Sequence, residues 1–536
     1  MSQPKMFARE ATGLVRRIGF WDSMFLVFQE ITIGLTLIFY ALALSTFPGG
    51  DGVIAAILCG LAVVPVALSY ALMSVAMPRS GGDYVFISRV IHPALGVAST
   101  LSYTIWTIFF GGVFTNWAMT VGAATVFQVT GSILNSPTLL ALGYAAQQPT
   151  NVILVGSIIL LGLPFLAARS IQVNVKLQSA LMVIGILGVI LWAVVLGTTN
   201  NGAFISQFNA FSMHYVNDTD YYHTIIRTAQ QGGMTASTGF SLAATINLVP
   251  LAAYIFPYVS AASIVGGEVK NPGKNFPLGI VGALLLSLVL AVVALWALIN
   301  AVGVNFLLSI DYVYVNGLSY ALPTAPYFTL FAALVTNNLY LQAAMAVSFI
   351  CWPLSAPVVG YILIPRELLA LSFDRVLPAK ISSVSRYGTP WVAIIVMAVI
   401  SEAMLIIYTL YATVLATISG IFGTVMGTFM VATIATALFP FVNRTKSIYE
   451  GSPKMVRYKI AGLPFISLVG ILGTLFLGWI TLMYIVNPAY GASNLVSDVV
   501  IVIIYGGGIA TYYISKIVRR REGVDLGQTF AQIPPE

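Results

Sequence analysis

Charged side chains are scarce in this chain, at 8% of residues against about 25% in an ordinary soluble protein, and a soluble globular reading is excluded on that ground. Only two cysteines occur, Cys59 and Cys351, each inside an apolar run, so neither a disulfide framework nor a zinc-ligand set is suggested. Histidine is nearly as rare. The three histidines lie outside the long apolar runs and no HExxH pair is present, which disfavours a membrane-embedded metalloenzyme. The absence of a P-loop and of any sizeable soluble domain excludes a transport ATPase, and no filter-like loop or acidic ring argues for a channel. The first 20 residues are polar and the apolar run after them is too long for a signal-peptide core, so the N-terminus is expected to be retained.

What the chain does have is apolar length: 59% of its 536 residues are apolar. A helix needs about 20 apolar residues to cross a bilayer, so twelve would use about 240. Twelve runs are present, at about 21–47, 52–77, 94–130, 150–168, 173–197, 239–265, 277–303, 326–364, 391–410, 413–440, 464–487 and 497–516. The third and eighth are longer than one crossing requires. With the N-terminus inside, 23 of the 24 basic residues fall on one side and only Arg227 falls opposite. The expected class is therefore an all-α polytopic integral membrane protein with both termini cytoplasmic, and the cell membrane is its expected location. The net charge of +7 is topological, and nucleic acid is not expected as a partner. The expected organisation is a segment 1–20, spans over 21–197, an outer loop 198–238, spans over 239–440, a loop 441–463, two spans over 464–516 and a tail 517–536. The outer loop carries His214, Asp218, Asp220 and His223, read as scattered loop residues rather than a metal site, and the sequon Asn217-Asp218-Thr219.

Two carboxylates fall inside the spans. Glu30 in the first and Glu402 in the ninth lie roughly 14–17 Å from the inner helix ends, near the midplane. A charge at that depth costs about 2.5–3.5 kcal/mol on insertion scales. Glu30 reads either as a ligand partner or proton carrier, or as a protonated structural hydrogen bond; Glu402 reads as structural. The sixth span carries Pro250 and Pro257, the latter in Phe256-Pro257-Tyr258-Val259-Ser260, and the readings are a simple kink or a discontinuous helix lining a cavity. Thr32-Ile33-Gly34-Leu35-Thr36 is a comparable weak point in the first span. A break there presents N–H groups suited to a carboxylate, and one in the sixth presents carbonyls suited to an ammonium, so a zwitterionic α-amino acid matches both.

Three loop motifs, all on the basic side, carry a family resemblance. They are Met77-Pro78-Arg79-Ser80-Gly81-Gly82-Asp83-Tyr84 with Ser88-Arg89 and His92-Pro93; Gly267-Glu268-Val269-Lys270-Asn271-Pro272 with Lys274-Asn275 and Pro277; and Arg366 with Phe373-Asp374-Arg375-Val376-Leu377-Pro378 and Tyr387-Gly388-Thr389-Pro390. In this order the sequence resembles the amino acid, polyamine and organocation transporter superfamily over about residues 15–480. The resemblance implies a LeuT-type fold, with helices one to five and six to ten as inverted repeats and two more appended. It also implies alternating access around a site between helices one, three, six, eight and ten. The family's Gly-x-Gly break falls on Gly34-Leu35-Thr36, which lacks the second glycine. Its Gly-aromatic-acid triplet falls on Tyr258-Val259-Ser260, which lacks both glycine and acid, leaving Tyr258 or Phe256 as the aromatic lid. The lysine that supports proton coupling in some members falls at about Leu181.

The expected substrate site is thus Thr32, Ile33, Gly34, Leu35, Thr36, Phe256, Tyr258, Val259 and Ser260. Glu30 is the candidate if protons drive transport; Ser348 and Ser355 are the candidates if sodium does; exchange of one amino acid for another needs no ion. No organic cofactor or resident metal is expected. A polyamine or organocation carrier is the nearest alternative but would favour several acids in the cavity, and a transporter-like sensor would share the scaffold.

Overall fold

The computed structural model describes residues 16–31, 40–41, 43–234, 239–383, 385, 389–416, 420–491 and 493–530. The expected break at Thr32–Thr36 lies outside them. The first helix, α1, spans Phe20–Ile31, and α2 spans Gly52–Ala76. Next come α3 (Gly82–Val90) and α4 (Pro93–Trp117), which passes through a π-turn at Ala118–Ala123 into α5 (Ala124–Ile133). Then follow α6 (Pro137–Gln147), α7 (Pro149–Ala167), α8 (Ile171–Thr198), α9 (Asn201–Ser212) and α10 (Tyr221–Gln231). The sixth apolar run forms two helices, α11 (Leu242–Ala252) and the single turn α12 (Ala261–Ile264), with residues 253–260 non-helical between them. Beyond it lie α13 (Pro272–Val302), α14 (Val304–Val315), α15 (Phe328–Leu334), α16 (Leu339–Phe373), α17 (Trp391–Ala416) and α18 (Gly420–Leu438). The chain closes with α19 (Asn443–Gly451), a two-residue hairpin pairing Lys459–Ile460 with Leu463–Pro464, α20 (Phe465–Val486), α21 (Leu495–Arg521) and α22 (Leu526–Phe530).

Cap residues set many of these boundaries. Asp51 accepts the N–H groups of Val53 and Ile54 at 2.8 and 2.9 Å, and Asn338 does the same for Tyr340 and Leu341. His92-Pro93, Ser136-Pro137 and Asn271-Pro272 each place proline at the first helical position, where its missing N–H is harmless. Among the described residues nine helices are long and apolar enough to cross a bilayer, or ten if the pair Gly423–Leu438 and Asn443–Gly451, bent by 75°, forms one span. Peripheral helices turn large apolar side chains outward. Leu154, Ile158, Leu161 and Phe165 make one exposed stripe on α7, a surface that suits lipid rather than water.

Central helices are nearly all buried, α4 and α16 most of all. α16 approaches α8 closely because Gly188 has no side chain, since a Cβ there would lie 1.7 Å from Ser348 Oγ. One turn earlier on α8, Trp352 Nε1 donates to the Gly185 carbonyl at 3.1 Å.

Several expected boundaries shift. The run 326–364 is two helices, and the second continues nine residues past 364, so Arg366 and Glu367 lie within a buried helix instead of a loop. Pro365 lies inside this helix, where proline is tolerated because packed neighbours surround the backbone. The stretch expected as an outer loop carries α9 and α10 among its described residues, and Asp220 pairs with His223 at 2.7 Å on its surface.

Candidate functional site

Glu30 sits in the last turn of α1, 3% exposed. Its Oε1 accepts hydrogen bonds from Tyr103 Oη of α4 and from Ser260 Oγ, each at 2.6 Å. Its Oε2 accepts from the backbone N–H of Ala261, also at 2.6 Å. The carboxylate therefore ties α1 to α4 and to the point where the sixth run resumes its helix. None of the ion pairs among the described residues involves Glu30. Three donors and no cation form an acceptor pattern that an ionised carboxylate satisfies and a protonated one satisfies only in part.

Aromatic rings pack beside this hub. Tyr258 stacks on Trp106 with centroids 4.9 Å apart and planes 13° apart, and meets Phe429 of α18 edge-on at 5.6 Å. Phe256, Tyr258, Val259 and Ser260 are all buried. Two buried donors in the stacked pair, Tyr258 Oη and Trp106 Nε1, find no hydrogen-bond partner among the described residues. Such groups cost about 1–3 kcal/mol each while unpaired. Among the described residues the carbonyls of residues 255–259 accept no backbone hydrogen bond, because the helix has unwound around Pro257.

Tyr103, Trp106 and Phe429 are site residues the sequence reading did not name. Tyr103, Trp106 and Phe110 recur at helical spacing on α4, a pattern that reads equally as ordinary core.

Two further buried carboxylates lie within electrostatic reach of Glu30: Asp83 and Glu367. Asp83 Oδ2 accepts from Tyr70 Oη at 3.2 Å, and Glu367 Oε2 accepts from Thr104 Oγ1 at 2.7 Å, while the other oxygen of each has no partner among the described residues. Burial pushes the Asp83 carboxyl, on the short α3 between spans, up to about 7. Glu30, expected to be the one acid near the site, thus has two buried acidic neighbours. Asp83 sits in a Gly-rich motif that reads as loop, and Glu367 lies beyond the apolar run expected to end at 364.

The other candidates fall elsewhere. Ser355 Oγ donates to Trp352 O of its own helix at 2.6 Å, and Ser348 Oγ faces Gly185 O at 3.5 Å across the α16–α8 contact. Glu402 accepts from Ser157 Oγ, joining α17 to α7.

Described residues of all three loop motifs meet in one buried plug at the basic end. Arg89 grips Asp374 with two nitrogens at 2.6 and 2.9 Å, and Tyr84 Oη donates to the same carboxylate at 2.7 Å. Arg366 Nε pairs with Glu268 at 2.9 Å, both 2% exposed. Gly81 and Gly82 have φ of +94° and +42°, and a Cβ on Gly82 would meet the Ser263–Ile264 backbone at 3.0 Å, so the double glycine is what lets this loop seat on α12.

A buried carboxylate at a helix break, an aromatic wall and a sealed ionic plug on one end of a lipid-faced bundle are the parts of a small-molecule carrier. No curated protein sequence gives a significant match. The family model described as amino acid permease matches residues 18–509, nearly the whole chain. The chain belongs to the amino acid permease family of the amino acid, polyamine and organocation superfamily, and is an integral membrane protein of the transporter class.

Proposed function

We propose that the chain is a secondary-active amino acid transporter working by alternating access, with the substrate held where the first and sixth spans are interrupted. The observation that carries this reading is the Glu30 clamp on Ser260 and Ala261, since it fastens the last described turn of the first span to the point where the interrupted sixth run resumes its helix. The unwound carbonyls of residues 255–259 suit an ammonium, and the unpaired Tyr258 hydroxyl and Trp106 indole N–H suit a carboxylate. Thr32 to Thr36 complete the site in this reading. The full architecture is twelve spans, with the first ten as a LeuT-type inverted repeat and both termini cytoplasmic in the cell membrane. That frame makes the ionic plug the cytoplasmic gate.

Protons are the coupling ion this site supports best. Glu30 loses an acceptor position when it takes a proton, so protonation weakens the clamp that holds α12. Sodium has less support, because the Ser355 hydroxyl donates within its own helix and Ser348 faces α8. A second reading, organocation transport, gains from Asp83 and Glu367, which raise the buried acids near the centre from one to three.

The test is uptake by purified protein in proteoliposomes, using pooled labelled amino acids and, separately, labelled polyamines, with imposed proton or sodium gradients and with internal amino acid. Amino acid uptake driven by the proton gradient supports the reading; uptake of polyamines alone replaces it with the second; no flux from a folded protein overturns both in favour of a sensor.

A further inference from the structure

The last long helix does not simply run out at the basic end. At the end of α21, Gly523 adopts φ +79° and reverses the chain, with Val524 N donating to Arg519 O at 2.9 Å and Gly523 N to Arg520 O at 3.2 Å. The returning turn α22 buries Leu526 and Phe530 to 1% and 2% exposure. Phe530 comes to rest on the gate itself. Its ring centroid lies 5.0 Å from the Arg89 guanidinium carbon, on the same arginine that stacks on Tyr84 at 5.6 Å and grips Asp374. Tyr84 and Tyr512 meet the Phe530 ring edge-on at 6.4 and 5.9 Å. The helix behind it is fastened to the stretch just after Asp374. Arg519 Nε donates to Arg375 O at 2.9 Å, Arg519 Nη2 to Leu377 O at 3.3 Å, and Ser515 Oγ to Val376 O at 2.7 Å.

We propose that the C-terminal segment 522–530 is an autoinhibitory latch, in which Phe530 caps the Arg89–Asp374 ion pair and must lift before the basic end can open. The pair joins α3, from the loop after the second span, to the end of α16, so these two elements cannot separate while it holds. Separation requires both charges to regain water. A phenyl ring over the guanidinium keeps water away and adds its own attraction to the cation, and both effects favour the closed pair. Release needs little structure to break, because the latch is one short turn anchored by two apolar side chains. The Gly523 turn sets its return path. The role of the latch in transport rests on the alternating-access reading, but its effect on the gate is measured independently of flux.

The experiment uses the protein in proteoliposomes, as Phe530→Ala, as Phe530→Tyr, or shortened by a stop after Asp525. Ser263→Cys, buried in the plug, reports gate opening through its labelling by a membrane-impermeant maleimide, measured against the parent, whose Cys59 and Cys351 are both buried. Exchange of pooled labelled amino acids is followed in parallel. Phe530→Ala and the shortened chain should label and exchange faster by roughly three- to thirtyfold, the range set by the loss of one cation–ring contact, while Phe530→Tyr stays at the parent rate. Unchanged labelling in both Phe530→Ala and the shortened chain, in a parent that transports, overturns the latch and leaves the carrier reading standing. Faster labelling in a parent with no flux keeps the latch on the gate and removes the carrier reading instead.

Discussion

Replacing Glu30 by glutamine keeps the volume of the side chain and removes its charge. In the native chain its two oxygens accept three hydrogen bonds, each at 2.6 Å, from Tyr103, Ser260 and the Ala261 N–H. The amide can satisfy these only in part. With its oxygen toward the two hydroxyls, its NH2 faces the Ala261 N–H and strands that donor; flipped, it serves Ala261 but leaves both hydroxyl hydrogens seeking other acceptors. One stranded buried donor costs about 1–3 kcal/mol, so the clamp between α1 and α12 should weaken by roughly 5- to 150-fold. In proteoliposomes Glu30→Gln should lose most of its proton-driven uptake and its pH dependence, while exchange at equal pH persists. Glu30→Asp keeps the charge but is one methylene shorter, cannot reach all three donors, and should fall between the two. Unchanged flux and an unchanged profile across pH 5 to 8 in Glu30→Gln would refute the role given to this carboxylate.

Other perturbations separate binding from support. Tyr258→Phe removes a hydroxyl that has no partner among the described residues, so thermal stability should hold or rise while the KM for amino acid rises about tenfold; an unchanged KM would take that hydroxyl out of the site. Arg366→Met leaves Glu268 charged and buried, and should destabilise the protein by about 3–5 kcal/mol, most of it recovered by adding Glu268→Gln, as read by thermal unfolding in detergent. Burial raises the Asp83 carboxyl from its ordinary value to about 7, so the folded state binds the extra proton and stability falls as pH rises from about 4 to about 7. Asp83→Asn should remove this group's share of the slope, at most about 4 kcal/mol over three pH units, and an equal slope in the variant would contradict the assignment. Gly34→Leu should block uptake while sparing expression, and retained uptake with normal affinity would place the break elsewhere.

Much of the scaffold was legible in the sequence because a bilayer imposes a single length on apolar runs, and the runs are punctuated by Asp, Asn, Gly and Pro caps that the structure uses as caps. The interruption around Pro257 was legible for the same reason: a proline in the middle of an apolar run has to be accommodated by the backbone. The partners of Glu30 were not. Ser260 and the Ala261 N–H meet it from 230 residues away in sequence, and nothing in the local pattern around either signals that pairing. Tyr103 and Trp106 look like core on any helical wheel, and their special character comes only from what the broken helix places against them. Asp83 was read within a loop motif, and close packing of Gly81-Gly82 on α12 is what buries it there, whereas Glu367 fell beyond the apolar run ended at 364 because the charges that follow hide the continuation of the helix.

The contacts at the centre and at the basic end belong to one mechanical unit. Ala261 N, at the start of α12, is held by Glu30 at the end of α1. A few residues on, Glu268 O accepts from Arg17 N at 2.8 Å and Ile18 N at 2.9 Å, and Lys270 N returns a bond to Ile18 O at 2.9 Å, all just before α1 begins. The α1 helix and the segment 261–270 run antiparallel and are joined at both ends, so neither can tilt alone without breaking two or more buried hydrogen bonds. What holds this pair to the rest of the protein at the basic end is different in kind. Gly81 N donates to Ile264 O at 2.9 Å, Ser74 Oγ donates to Ser263 Oγ at 2.7 Å, and Arg366 reaches Glu268 from α16. These are contacts between elements, two of them made by side chains that can rotate. The pair is therefore expected to move as one rigid body against α2, α3 and α16, with Glu30 setting its stiffness and the ionic plug setting whether it moves at all.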